Sequence, residues 1–320
     1  MAAAAAAAAA AAVAPDRIRA PPLTEAQAEC IDALRAAVDA ALADPHHVFY
    51  APPLLPADAD AADRAALVQR AQALFARLGT RNFLHRYLRA RAFDVEAACL
   101  KTLRSLAWHL TARPEALRAA EFEEDARNGK TYLSGPDAHG RPIVVLDSTK
   151  PSVLDHEGQL RHLVWTLRRA EHRMAAAGGD CEKFVAFLHL EDFGWSTAPP
   201  LRTVQDTTRI LGGHFPERLG HCVLYKAPFV FWTLWSMVKP LLDPVTRDKV
   251  VMISGDTSEG SANDLLLREI VGPAWRELCG AEQPVLAPGA SPGYDHAVRW
   301  AEALADDAAM QAPRTDDGAA

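Results

Sequence analysis

Apolar residues recur at steps of three and four from about residue 24 to residue 125, and this spacing gathers them on one face of an α-helix. A run of prolines from Pro45 to Pro56 separates the first of these patterns from the others. We therefore predict that this part of the chain is all helical. The predicted helices are Thr24–Leu42, Asp63–Leu78, Asn82–Ala90 and a segment that is capped by Asp94 and ends before Pro114.

Beyond Asn128 and Gly129 the pattern changes to short apolar runs, rich in β-branched residues, that alternate with helical segments. This alternation is typical of an α/β domain, a sheet whose strands are joined by helical crossovers. The predicted strands are Pro142–Leu146, Phe184–Leu190, His221–Lys226 and Lys249–Ile253, and the predicted helices are Gln159–Ala176, Leu201–Leu211 and Phe229–Leu242. After Pro284 the chain is loop-like, apart from a short amphipathic stretch at Ala297–Leu304.

The segment Phe229–Leu242 is apolar around its whole circumference. Such a helix is either buried or in contact with lipid, and this one is too short to span a bilayer. A buried crossover helix is the simpler interpretation of this feature alone. Trp232 and Trp235 favour a boundary position instead, because indoles prefer sites where one edge is wet and the other apolar.

Composition and charge narrow the classes of partner. The 320 residues are 49% hydrophobic and 23% charged, which is a globular composition. A formal net charge of -7, without a dense basic stripe, argues against a nucleic-acid partner. The five cysteines are far apart and form no CxxC pair, so neither a zinc site nor a disulfide framework is predicted, and a reducing compartment fits best.

The chain begins with Met1, eleven alanines and Val13. No positive charge precedes this tract, so we predict a low-complexity tail rather than a secretory signal; Arg17 and Arg19 leave a transit peptide open. No other apolar run reaches the roughly 18 residues that a membrane span needs. The predicted organisation is a disordered tail (1–23), a helix with a proline-rich linker (24–62), a helical domain (63–126), the α/β domain (127–285) and a C-terminal tail (286–320).

The common catalytic signatures are missing from the sequence. It contains no GxxxxGK[ST] phosphate loop, no HExxH motif and no GxSxG elbow, and its histidines do not pair at metal-ligand spacing. Ser258 and Ser261 lie in a polar turn and are predicted to cap a helix rather than to act as nucleophiles. No catalytic residue, metal or cofactor is predicted, and a hydrolase is the weakest functional hypothesis.

Four motifs occur in an order that resembles one known family. They read FLHRYLRARAFDV over residues 83–95, DAHGRPI over 137–143, FPERLG over 215–220 and LDPVTRDK over 242–249. Together they resemble the CRAL-TRIO lipid-binding family, in particular the fungal and plant phosphatidylinositol transfer proteins of the secretory pathway. The resemblance implies a small helical domain followed by an α/β domain, whose mixed sheet floors a lipid cavity that a gate helix closes.

The resemblance also implies the site residues. The inositol headgroup would be bound by Glu217 and Lys249, with Arg91 in the basic stretch after the N-terminal helices. One cation for a phosphodiester and one carboxylate for sugar hydroxyls suit an inositol phosphate. The alternative is that these side chains are solvated charges or form a plain salt bridge. For Arg86 and Arg89, a solvated helix face is expected at least as strongly as phosphate binding. The expected gate and cavity residues are Phe229, Phe231, Trp232, Trp235, Met237, Val238 and Leu241.

The function implied is that the protein binds one phospholipid, phosphatidylinositol first of all, and transfers or presents it between membranes. It would be cytoplasmic and transiently peripheral to membranes, with the membrane surface, the phospholipid and a lipid kinase as partners and no enzymatic step. The strand Phe184–Leu190 lacks hydroxyl side chains, which weighs against phosphatidylcholine. Two alternatives stay open: a carrier of a sterol or other isoprenoid, for which Lys249 would be dispensable, and a lipid-gated scaffold for a protein partner.

Overall fold

The structure of the protein is a computed structural model that describes residues 15–44, 46–50, 54–56, 58–178, 181–191, 193–194, 198–279 and 294–312. The chain forms two compact units. The sheet unit comprises Leu117–Thr208 and Arg218–Ala320 with the N-terminal segment up to Ala20, and the helical unit comprises Pro21–Ala116 and Arg209–Glu217. The alanine tract and the loop that follows Pro284, up to residue 293, lie outside the described residues.

The helical unit contains the four helices that the spacing of apolar residues predicts. Each begins at a residue whose side-chain oxygen accepts a backbone N–H from three residues further on, and these residues are Thr24, Asp60, Thr80 and Asp94. The predicted cap at Asp94 is confirmed, with an N···O distance of 2.9 Å to Ala97. The four helices share one apolar core. They are α1 Glu25–Ala43, α2 Ala61–Leu78, α3 Arg81–Arg89 and α4 Val95–Ala112.

The sheet unit is built on five strands in the order β1-β2-β3-β4-β5. The first pair is antiparallel, and the other three pairs are parallel. The α/β prediction is confirmed, and the four predicted strands are present with ends shifted by one or two residues. Strand β1 was not predicted, because Gly135 and Pro136 interrupt its apolar pattern. The strands are β1 Thr131–Pro136, β2 Pro142–Asp147, β3 Phe184–His189, β4 Leu219–Tyr225 and β5 Val250–Ile253.

Helices connect and flank these strands. The bounds are α5 Glu123–Ala126, α6 His156–Ala176, α7 Leu201–His214, α8 Phe229–Val238, α9 Pro244–Arg247, α10 Ala262–Ile270 and α11 His296–Gln311. The sequence analysis did not assign α10, although its predicted cap at Ser261 is confirmed by a hydrogen bond from the Asp264 backbone N–H. Ser258 instead donates to Asp256 in the preceding turn, so its predicted role as a helix cap is wrong.

One face of the sheet is sealed by apolar packing. Val145, Phe187 and Val223 on neighbouring strands have no exposed surface, and they share a core with Leu267 and Ile270 of α10. At about 25 cal/mol per Å² of buried apolar area, this face supplies much of the stability of the unit. The opposite face is covered differently and forms the candidate site.

The motif over residues 137–143 has a structural role. The guanidinium of Arg141 has no exposed surface, and it donates to Asp137 Oδ2 at 2.6 Å, to the Ile270 carbonyl at 2.8 Å and to the Arg17 carbonyl at 3.0 Å. His221 lies 2.9 Å from the same group, and burial together with Arg141 lowers the pKa of His221 to about 3. His221 is therefore neutral and can accept a hydrogen bond from the guanidinium. A buried cation with this many acceptors is stable where a lone one would not be.

Both predicted tails are partly integrated into the sheet unit, contrary to expectation. At the N-terminus Pro15–Arg17 forms a 3-10 turn, and the Ile18 carbonyl accepts from the Glu182 backbone N–H at 3.2 Å. At the C-terminus α11 packs on α6, where Trp165 Nε1 donates to Asp307 at 3.0 Å. These contacts join residues more than 100 positions apart, which a local pattern does not reveal.

Candidate functional site

The second face of the sheet is apolar but incompletely covered. Strand register brings Leu188, Cys222, Leu224, Val250 and Met252 together on it, and we call these five residues the floor. All except Leu224 are only partly buried, although Leu188 and Cys222 lie on β3 and β4, two inner strands of the sheet. Burial raises the pKa of the Cys222 thiol to about 12, so it stays uncharged and the floor carries no charge. Such a face suits an apolar ligand.

Helix α8 covers the floor. Phe231 and Leu234 are buried, at 6% and 8% exposure, and belong to the same apolar cluster as the floor. The ring of Phe231 also meets the ring of Phe193 edge to face, with 5.4 Å between centroids. Trp235 and Val238 pack at the margin of this cluster. These four residues form the inner side of α8.

The outer side of α8 is also largely apolar, with Thr233 and Ser236 as its polar residues. Phe229 is 88% exposed, Trp232 41% and Met237 42%, and the ten residues of the helix include no charged one. At 3.6 residues per turn, spacings of three, five and eight residues keep these side chains within one half of the helix circumference, on the side opposite Phe231 and Leu234. Large apolar groups exposed together mark contact with another apolar phase.

Six of the seven predicted gate residues therefore separate into two sets, and the side chain of the seventh, Leu241, lies outside the described part of the structure. Phe231, Trp235 and Val238 face the floor, whereas Phe229, Trp232 and Met237 face away from it. The sequence analysis expected the gate helix to continue to Leu242, but α8 ends at Val238 and a 3-10 turn, Lys239–Leu241, follows. Pro240 explains the change, because proline cannot donate the backbone hydrogen bond that would continue the α-helix.

The start of α8 is held by one ion pair. Lys226, two residues before the helix cap Pro228, has φ of 52° and pairs with Glu191 at 2.7 Å. The left-handed conformation costs a non-glycine residue roughly 1 kcal/mol. The Glu191 carboxylate raises the pKa of Lys226, so the pair stays charged. The chain therefore enters α8 through a strained, anchored turn.

Lys249 lies at the other end of the floor. It is 4% exposed, and its carbonyl accepts from the Cys222 backbone N–H at 2.8 Å. Nearby, Asp243 caps α9 through Thr246, as the sequence analysis predicted, with an N···O distance of 2.9 Å. Burial raises the pKa of Asp243, but hydrogen bonds from Thr246 and the charge of Lys249 outweigh this effect and lower it. Lys249 is thus a buried cation held close to a carboxylate.

Glu217 belongs to the helical unit, where it follows α7 in a left-handed conformation with φ of 60°. Its Oε2 lies 4.0 Å from the guanidinium of Arg89, whose side chain is 9% exposed. Arg86 is buried as well, so the expected solvated face for Arg86 and Arg89 is wrong. Arg91 is exposed and donates to the Ala90 carbonyl at 3.1 Å. The structure thus brings Glu217 to Arg89 rather than to Arg91.

A concavity of about 430 Å³ lies beside the C-terminal end of α8. Its lining includes two cations, Lys239 and Arg247, and one carboxylate, Asp248. The Nε of Arg247 is buried and has no hydrogen-bond partner among the described residues. The sequence analysis did not single out either cation, because the position of Lys239 beside Arg247 depends on where α8 ends. The remaining lining residues are Trp235, Pro244, Val250 and Met252.

A larger concavity, of about 660 Å³, lies in the helical unit between α1 and α4. Its walls are largely apolar and include Leu100 and Leu103. Asp44 and Glu96 are its charged side chains, and both would repel an anionic headgroup. It therefore fits a phospholipid less well than the sheet face beneath α8.

The described residues offer neither a metal site nor a membrane-spanning helix. No group of three or more His, Cys, Asp or Glu side chains in this part of the chain could hold a metal ion. Among the helices described, none combines the length and the hydropathy needed to cross a membrane.

Comparison with solved structures supports the fold. The chain is similar to a solved structure described as the crystal structure of Sfh5, with a TM-score of 0.53 and 12% identity over 75% of this chain and 84% of that one. At this level of identity the likeness shows the fold alone, and it agrees with a mixed sheet preceded by helices.

Two curated relatives are informative. Over 175 residues the chain is 26% identical to the phosphatidylinositol transfer protein PDR17 of Saccharomyces cerevisiae, and over 194 residues it is 30% identical to the SEC14 cytosolic factor of Yarrowia lipolytica. These matches cover 52% and 55% of this chain, but 50% and 39% of the relatives. The chain thus spans about half the length or less of these relatives.

A family model gives the same assignment. The model described as the CRAL/TRIO domain matches residues 126–267, a range that contains all five strands, α8 and most of α10. The resemblance inferred from the four motifs is confirmed by this match and by the named relatives. Residues 126–267 of this chain therefore match the CRAL/TRIO domain.

Proposed function

We propose that the protein binds one phospholipid, phosphatidylinositol first of all, between the floor and α8, and transfers or presents it between membranes. The observation that carries this proposal is the floor itself: an apolar, partly accessible sheet face beneath a helix that is apolar on both sides. The names of the relatives, a phosphatidylinositol transfer protein and a SEC14 cytosolic factor, support the same function.

The energetics of a lipid in water require such a cover. Two acyl chains carry on the order of 30 methylenes, and at about 0.8 kcal/mol each their exposure would cost more than 20 kcal/mol. An enclosed apolar space removes that cost while the lipid is away from a membrane. At a bilayer, the outer side of α8 meets a surface as apolar as the floor it leaves, so opening there costs little.

In this proposal Lys249 binds the phosphate of the headgroup. It is already a buried cation, and a phosphodiester oxygen would add a charge-assisted hydrogen bond to its ammonium. Glu217, a carboxylate with 20% of its side chain exposed, accepts hydrogen bonds from the inositol hydroxyls. Arg91, exposed at the end of the α3 turn, is the third proposed headgroup residue.

The proposed activity involves no bond making or breaking, and the bound lipid takes the place of a cofactor. The protein would act in the cytoplasm, touch membranes transiently and present its lipid to a lipid kinase. Phosphatidylinositol is preferred over a sterol because a neutral isoprenoid offers no phosphate to the buried ammonium of Lys249.

The test is transfer of labelled phosphatidylinositol from donor to acceptor vesicles, with Lys249→Ala compared with wild type. Lys150→Ala, at a half-buried lysine in the loop after β2, is the matched control because it removes the same charge. We expect Lys249→Ala to abolish transfer and Lys150→Ala to preserve it, with both variants folded by circular dichroism. Transfer retained in a folded Lys249→Ala protein would contradict the assignment of Lys249.

A further inference from the structure

The concavity at the C-terminal end of α8 combines features of an anion site. It is lined by Lys239 and Arg247, while Trp235, Val250 and Met252 of the floor cluster form most of its apolar wall, so the concavity adjoins the floor. The chain as a whole has a net charge of -7, so two cations at one concavity are a local excess of positive charge on an acidic protein. Asp248, which is exposed, offsets one of the two charges.

Arg247 supplies an independent observation. Its Nε is buried and lacks a hydrogen-bond partner among the described residues. Buried donors normally have an acceptor, so this N–H is open to an incoming one. The arginine fork matches the oxygens of a phosphate, whereas the exposed Lys239 adds a second positive charge at the rim.

The neighbouring surface indicates where that phosphate comes from. Phe229, Trp232 and Met237 are exposed on the outer side of α8, and Val245 of α9, two residues before Arg247, is 57% exposed. Apolar side chains that enter the acyl boundary, next to cations at headgroup level, are the arrangement of an interfacial membrane anchor. A soluble phosphate compound would make no use of these apolar groups.

We propose that Lys239 and Arg247 form a subsite for the phosphate of an anionic phospholipid in the membrane itself, a lipid distinct from the one carried on the floor. The apolar outer side of α8 and this subsite together make one docking surface for anionic membranes. This inference rests on the proposed function, because it assigns which membranes the carrier opens on. It also separates two roles: Lys249 binds the cargo, and Lys239 with Arg247 binds the target membrane.

Vesicle cosedimentation tests this inference with the full chain. Wild type, Arg247→Gln and the double variant Lys239→Gln/Arg247→Gln are compared on phosphatidylcholine vesicles with and without phosphatidylserine. We expect wild type to bind the anionic vesicles more tightly, and each lost cation to weaken that binding about five-fold. Arg127→Gln, which removes one exposed cation from the turn after α5, is the matched control and should change the affinity less than two-fold.

Three results would overturn the inference. One is unchanged binding of the folded double variant to anionic vesicles, and another is an equal loss on neutral vesicles. The third is binding of inorganic phosphate that Arg247→Gln abolishes while the same variant binds anionic vesicles as tightly as wild type, which would assign the site to free phosphate. Mass spectrometry of the bound lipid distinguishes failure of the membrane-subsite proposal from failure of the proposed carrier function. Unchanged cargo in Arg247→Gln supports a separate membrane subsite, whereas loss of cargo there would contradict it; absence of any cargo in wild type would contradict the carrier function alone.

Discussion

Two phenylalanines on α8 provide a matched pair for testing whether this helix is a separate, closable element. Phe231 is 6% exposed and packs above the floor, whereas Phe229, two residues earlier, is 88% exposed. Replacing either by alanine removes the same atoms from the same helix. The two variants should therefore differ only by the contacts that hold α8 against the sheet.

The expected magnitude follows from the packing of Phe231. Truncating a buried phenylalanine to alanine costs about 3–5 kcal/mol, and its edge-to-face contact with Phe193 accounts for roughly 0.5–1.5 kcal/mol of this. If α8 makes these contacts only while it is closed over the floor, the free energy needed to open it falls by the same amount. The lower limit, about 3 kcal/mol, corresponds to an opening constant raised on the order of a hundred-fold. Phe229→Ala should change it by no more than about 0.5 kcal/mol.

Hydrogen exchange followed by mass spectrometry measures the opening equilibrium of α8 directly. In Phe231→Ala we expect the amides of α8 to exchange about a hundred-fold faster, with much smaller changes in β3 and β4, because local opening exposes only the helix. Phe229→Ala should exchange like wild type. Equal acceleration of α8 and the strands would show that Phe231 belongs to the global core, and unchanged exchange in α8 would show that its contacts do not hold the helix closed.

Three other predictions concern stability and cavity volume. Burial would raise the pKa of Glu115, but the hydrogen bond and charge of His109 outweigh it and lower the pKa to about 2 from 4.5. The stability contributed by the lowered pKa of Glu115 is thus present above about pH 4.5 and lost as the pH falls towards 2, and Glu115→Gln should flatten that part of a melting-temperature profile. Asp264→Asn, which removes the carboxylate 2.7 Å from Arg276 in a fully buried site, should lower the free energy of unfolding by about 3 kcal/mol in urea titrations. Cys222→Phe fills space above the floor, so mass spectrometry should find less lipid per chain in a protein that still melts cooperatively.

Local patterns predicted the elements whose residues determine their own conformation. The spacing of apolar residues and the cap at Asp94 were enough for α4, and the absence of a polar face marked α8 as unusual before its surroundings were known. The segment between Asp243 and Thr246 was also predictable, because an Asp-Pro sequence followed by threonine forms a capped turn.

What the sequence did not predict depends on contacts between distant residues. Nothing near Arg17 indicates that its carbonyl accepts from Arg141, 124 positions away. The burial of Arg86 and Arg89 likewise follows from the packing of the helical unit, since two arginines three residues apart on a short helix are more typical of a solvated face. The cationic concavity required knowing that α8 ends at Val238.

The most direct test of the carrier function is mass spectrometry of the lipid that remains bound to the full-length protein after incubation with a mixed cellular lipid extract. We expect phosphatidylinositol, enriched over its share of the extract, at one molecule per chain in the wild-type protein and its loss in Lys249→Ala. If both proteins bound a sterol or other neutral lipid equally, the result would support the apolar cavity but contradict the headgroup assignment. A protein that binds no lipid would contradict the carrier function itself.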